Sequence, residues 1–235
     1  MALPINSYWN DFLHLIFPTV CVACKNELLK TEPHICTHCR SNFSVTDHFQ
    51  VHRNELWQSF RNKNSMNFAI AYLKFYKAGT IQPILHELKY RKNQELGIHL
   101  GNMFGGELQR NGYQKTFDIL VPVPLHADKQ KMRGYNQSEL IATGVAEKID
   151  VSVNTKAAKR TKHNKSQTKV AGTERWGNVD GIFELEEADS LKGKHVAIID
   201  DVVTTGATID ALAETLKQAQ PATISLLAFA IAQQL

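Results

Sequence analysis

No apolar run in these 235 residues approaches the ~20 residues that a membrane-crossing helix needs; the longest near the end, 224–232, is strand-sized. The N-terminus has no basic region ahead of an apolar one, so no secretory signal peptide is expected, and the protein is expected to be cytoplasmic. An excess of one charge sign is also missing. Lys and Arg number 27 against 23 Asp and Glu, leaving +4, so contact with nucleic acid depends on where cations cluster. With 43% hydrophobic and 21% charged residues, the chain has the composition of a soluble globular protein. Its length suits one α/β domain and a small satellite.

Cysteine is scarce, and its placement is informative. Cys21, Cys24, Cys36 and Cys39 are the only four, spaced Cys-x2-Cys-x11-Cys-x2-Cys. Two such knuckles can each present two thiolates to one tetrahedral ion. A cytoplasmic chain argues against disulfides, and duplication of the pair argues against a redox Cys-x-x-Cys. Structural Zn²⁺ is therefore expected, since four thiolates leave no open position for substrate. His34 and His38 are spare candidates beside a site already complete.

Val196 to Thr208 carry the strongest functional signal. Val196–Ile199 are four β-prone apolar residues of a buried parallel strand, and Asp200 and Asp201 stand at its C-terminal end. Thr204-Thr205-Gly206-Ala207-Thr208 then open a helical pattern through Ile209, Leu212, Ala213 and Leu216. Small residues at a strand-to-helix turn let backbone amides converge on a phosphate, which the helix N-terminus favours. Paired carboxylates accept hydrogen bonds from vicinal hydroxyls. A sugar phosphate suits this arrangement; simple helix capping is the blander alternative. The stretch resembles the phosphoribosyl pyrophosphate (PRPP) loop of type I phosphoribosyltransferases. That resemblance implies that Asp200 and Asp201 hold the ribose hydroxyls, and that Thr204, Thr205, Gly206, Ala207 and Thr208 hold the 5′-phosphate.

Elsewhere, Trp9, Phe12, Leu13, Ile16 and Phe17 recur at helical spacing until Pro18, which predicts an amphipathic helix packed against the rest. Residues 41–65 are polar and irregular and read as a linker. The predicted modules are 1–45, helix plus zinc knuckles, and 66–235, the main domain. A strand is expected over 67–76, helices over 81–90 and 94–110, a strand over 117–123, a helix up to about 148 and a last strand over 223–230. This alternation predicts a parallel α/β sheet flanked by helices.

Three basic clusters interrupt the pattern: Lys89, Arg91 and Lys92; Lys129, Lys131 and Arg133 in an expected loop; and Lys156 to Lys169. The last contains Lys159, Arg160, Lys162 and Lys165 and no acid, and reads as a mobile lid, with Arg175 shortly after. These clusters suit a pyrophosphate or a single-stranded backbone, and Tyr90 and Tyr135 lie where they could stack on bases. Solvated basic loops are the alternative.

Taken together, the chain resembles the competence protein F family (ComF/ComFC, also GntX), phosphoribosyltransferase-like proteins with an N-terminal zinc finger. The residues that carry the likeness are the zinc knuckles, Lys89-Tyr90, Val121 to Leu125, Arg133 to Gln137, Arg160 with Gln167, Arg175 with Asn178, and the PRPP loop. The resemblance implies natural transformation, single-stranded DNA on the cytoplasmic side, PRPP with Mg²⁺, and other DNA-uptake proteins at the inner membrane as partners. It leaves open an active salvage transferase or a PRPP-sensing regulator. Two positions depart from the family: Lys92 replaces a small residue, and Asn164 replaces Thr. Thr204 stands where 6-oxopurine transferases have an acid, so that purine chemistry lacks its base.

Overall fold

A computed structural model describes residues 18–60, 66–161 and 181–233. The expected helix over 9–17, the lid residues Lys162, Lys165 and Lys169, and also Asn164, Gln167, Arg175 and Asn178, lie outside the described residues.

Five strands form one parallel sheet. In chain order these are β1 (Ala69–Phe75), β2 (Ile119–Pro122), β3 (Ser152–Val153), β6 (His195–Val203) and β7 (Thr223–Ala232). Their order across the sheet is β1-β7-β6-β2-β3, and every neighbouring pair is parallel. The central strands read as continuous apolar runs because helices or loops cover both faces. Alternate residues feed two cores. Ala197, Ile199, Leu227 and Phe229 point to one side, and Val196, Ile198, Leu226 and Ala228 to the other.

The first face is covered by α3 (Ile81–Tyr90), α4 (Gln94–Arg110) and α6 (Gln137–Ile149), which supply Ile84, Leu88, Leu100, Phe104, Ile141 and Val145 to that core. Helices α4 and α6 approach so closely that a Cβ on Gly101 would lie 2.2 Å from the Ile141 carbonyl oxygen. The second face is covered by α7 (Ala207–Lys217), by α2 (Glu55–Phe60), and by an antiparallel hairpin of β4 (Ala158–Arg160) and β5 (Phe183–Leu185).

The four-cysteine module packs on the first face. Cys21, Val22, Leu28, Ile35 and Cys39 belong to the same cluster as Ile70, Tyr72 and Phe104. A short helix, α1 (Thr37–Ser41), carries the last cysteine.

Three expectations change here. The stretch read as a linker is instead fastened to β1. Thr46 N–H donates to the Tyr72 carbonyl, and buried His48 accepts the Ala71 N–H at Nδ1, at 3.1 Å. The His48 proton therefore sits on Nε2, which lies 3.1 Å from a Glu55 carboxylate oxygen. That tautomer leaves no lone pair for a metal at the Asp47, His48 and Glu55 cluster. The basic loop after β2 is a helix, α5 (Ala127–Arg133), capped by the His126 side chain and ended by left-handed Gly134. Lys159 and Arg160, read as part of a mobile lid, are strand residues of the hairpin, with Lys156 just ahead of them.

Candidate functional site

Strands β2 and β6 are neighbours, yet the helices that follow them leave to opposite faces: α6 to the first and α7 to the second. Such a divergence opens a crevice beyond the carboxyl ends of the two strands, the usual ligand seat of an open α/β sheet. Asp200, Asp201 and the turn at Thr204 to Thr208 lie on one side of this crevice. Val123 to Asn136 lie on the other.

The two carboxylates are held differently. Asp200 Oδ1 accepts the Ser138 hydroxyl at 2.9 Å and the Asp201 N–H at 2.9 Å. Asp201 Oδ1 accepts the Val202 N–H at 2.8 Å, and its Oδ2 lies 2.7 Å from the Lys89 ammonium. Burial, and then the negative charge on Asp201, push the Asp200 carboxyl up to about 7. Neither acid therefore projects freely into solvent. Asp200 is half-buried, Asp201 is only 9% exposed, and both are tied to their surroundings.

At the turn, Gly206 has φ +75°, and a Cβ there would lie 2.8 Å from the Phe60 ring. Thr204 and Thr205 are exposed at the start of α7, whose first residue, Ala207, follows the left-handed glycine directly. Phe60, 1% exposed, belongs to the supposed linker, and sequence reasoning gave it no part in the site.

Cations from three separate elements meet the acids. Lys89 reaches Asp201 from the end of α3. Lys129, on α5, is pushed down by burial and then by the charges of Arg160, Arg133 and Lys89, so those three lie within electrostatic reach of its ammonium. Arg160 is also pushed down by burial, against an opposing pull from Asp200. Among the described residues, the buried Nε donors of Arg133 and Arg160 have no hydrogen-bond acceptor. An anion is the natural complement of such donors. Arg133 is aimed by Gln137, which accepts from its Nη1 at 2.6 Å, and by the Tyr90 ring 5.7 Å from its guanidinium carbon.

The remaining expected contacts divide. Tyr90 is 57% exposed at the rim, and so is Met132 at 66%. Tyr135 is buried at 7% and its hydroxyl donates to the Leu88 carbonyl at 2.6 Å, so it braces α3 and has no face for a base. Arg91, Lys92 and Lys131 are exposed on the flanks. Lys92 has φ +55°, which explains why a small residue suits that position.

The four thiols of Cys21, Cys24, Cys36 and Cys39 all lie within 4.8 Å of one another, with Cys24 Sγ 3.7 Å from Cys36 Sγ. Tetrahedral zinc at Zn–S of about 2.3 Å needs S···S edges of about 3.8 Å, so the donor set fits that ion. Backbone N–H groups of Cys36 and Cys39 approach the sulfurs of Cys21 and Cys36 at 3.4 Å, as expected for thiolate acceptors.

Comparison with known proteins adds sequence likenesses. Residues 135–233 match the model of the phosphoribosyl transferase domain. The chain is 30% identical to the DNA utilization protein YhgH of Escherichia coli K12, over 59% of this chain and 62% of that one. It is 23% identical to competence protein F of Haemophilus influenzae, over 88% and 87%. It is 28% identical to competence protein ComFC of Bacillus subtilis, over 84% and 77%. Among the described residues, no helix is long and apolar enough to cross a membrane.

Proposed function

We propose that this homologue of the competence F, ComFC and YhgH proteins acts in DNA uptake or use. In this reading its phosphoribosyl transferase domain binds PRPP with Mg²⁺, and its cationic rim contacts single-stranded DNA in the cytoplasm. One observation carries the proposal. A carboxylate pair, a glycine-bearing turn at a helix N-terminus, and four cations from three elements lie at the carboxyl ends of β2 and β6, the topological switch point.

The chemistry divides by charge. Asp200 and Asp201 accept the ribose hydroxyls, and the amides and hydroxyls from Thr204 to Thr208 take the 5′-phosphate. Lys89, Lys129, Arg133 and Arg160 neutralise the pyrophosphate, where two buried guanidinium donors gain acceptors. Mg²⁺, where present, would supply further neutralising charge at the pyrophosphate, with Asp200 and Asp201 as the carboxylates that would assist it indirectly. Deoxyribose lacks the diol that two carboxylates read, so a DNA strand belongs on the rim. There Tyr90 offers a stacking face, Met132 an apolar surface, and Arg91, Lys92 and Lys131 offer charge. Partners among other DNA-uptake proteins at the inner membrane follow from the same role.

The test is binding by the full zinc-loaded chain. PRPP with Mg²⁺ is titrated calorimetrically into the wild type and into Asp200→Ala with Asp201→Ala, and a labelled single-stranded oligonucleotide is followed by anisotropy across a salt series. PRPP binding should vanish in the double variant. Oligonucleotide binding should fall steeply with salt and weaken on Arg91→Glu with Lys131→Glu. PRPP binding without any strand binding at low salt would point to a PRPP-sensing regulator. Pyrophosphate release with a nucleobase would point to a salvage transferase.

A further inference from the structure

A line of buried polar groups joins the ends of β2 and β6 and takes in a residue that no motif assignment covers. Asn136 Nδ2 donates to the Val123 carbonyl, just past β2, at 2.9 Å. Its Oδ1 accepts the Ser138 N–H at 3.1 Å, capping α6. Ser138, 4% exposed, then donates its hydroxyl to Asp200 Oδ1. Since Asp201 N–H donates to the same oxygen, Oδ1 is doubly occupied. Oδ2 is then the Asp200 oxygen with no hydrogen bond among the described residues, and the carboxylate plane is fixed by the first turn of α6, the helix that packs beside β2. Asp201 has no such freedom, because Val202 and Lys89 engage both of its oxygens.

We infer that Ser138 is a positioning residue for the sugar site: it turns Asp200 so that Oδ2 faces the crevice as the hydroxyl acceptor. This deepens, and rests on, the reading of the acid pair as a ribose site. Ser138 touches no ligand itself. Its hydroxyl favours the ionised carboxylate and restricts rotation about the Asp200 side chain, two effects that an apolar residue of the same size cannot supply. Burial of the hydroxyl adds geometric force, because solvent cannot compete for the bond.

The experiment compares ribose 5-phosphate with inorganic phosphate, both titrated into the full zinc-loaded chain between pH 6 and 8.5. The wild type should prefer ribose 5-phosphate. Ser138→Ala should lose roughly tenfold of that preference, with inorganic phosphate affinity unchanged, because one hydrogen bond to a charged group and its orientation are removed. The pH at which the preference sets in should also move upward, since the ionised form has lost a donor. Ser138→Thr, which keeps the hydroxyl, should retain the preference. Should Ser138→Ala fail to fold, Ser138→Cys, a weak donor of similar size, carries the same comparison. A full preference with an unshifted pH midpoint in the Ala or Cys variant overturns the inference while leaving the ribose site standing. Absence of any preference in the wild type overturns the ribose reading, and this inference with it.

Discussion

Gly206→Ala is a small substitution at which two independent costs coincide. The native backbone there is left-handed, φ +75°. An alanine in that region costs roughly 1–2 kcal/mol relative to glycine, because its Cβ crowds the following carbonyl. The same Cβ would also lie 2.8 and 2.9 Å from two carbons of the Phe60 ring. Phe60 is a fully buried side chain in the second core, packed with few alternatives, so relieving the overlap costs about 1–3 kcal/mol more. The expected total is about 2–5 kcal/mol, which lowers Tm by about 2–4 °C per kcal/mol in a chain of this size. Urea denaturation of wild type, Gly206→Ala, Phe60→Leu and the double variant separates the two parts. Removing the ring should relieve the overlap but not the left-handed strain, so the double variant should be about 1 kcal/mol or more better than additive. A loss below about 1 kcal/mol in Gly206→Ala would refute the conformational argument. Strict additivity would refute the role of Phe60 as the floor of the glycine turn.

Zinc and pH provide two further checks. Cys36→Ser with Cys39→Ser should abolish the single expected zinc per chain by metal analysis. Because Cys21, Cys36 and Cys39 share a core with α3 and α4, the variant should also expose tryptic sites in those helices. Asp200 keeps its proton in the folded chain up to about pH 7, whereas the unfolded chain loses it near 4. Its contribution favours the folded state below pH 4 and is lost as pH rises to about 7. The stability of wild type should therefore fall relative to Asp200→Asn between about pH 4 and pH 7, and a constant difference would show an unperturbed carboxyl.

The succession of periodic segments was legible because each carries its own local signal. Strand runs at 119–122 and 226–232 are apolar throughout, and α3 and α4 repeat apolar residues at helical spacing, with Asn93 capping α4 through the Leu96 N–H. The four-cysteine cluster was legible for a similar reason, since four identical side chains at fixed spacing need only two local turns to meet. The acid pair and the glycine turn were visible as one contiguous motif.

What the sequence could not specify is everything that depends on distance in space across unrelated segments. Residues 41–65 look like a linker because their anchors are single polar side chains, Thr46 and His48, and isolated apolar ones, Leu56 and Phe60, which have no period. Tyr90 and Tyr135 look alike beside their basic clusters, but one faces solvent and the other locks α3 to α6. Only the strand order puts β2 beside β6, and with it Ser138 against Asp200 across 62 residues of chain. Local pattern thus decides what each segment becomes. Long-range packing decides which charges become neighbours, and burial there gives the carboxylates and guanidinium groups the unequal environments that make a site.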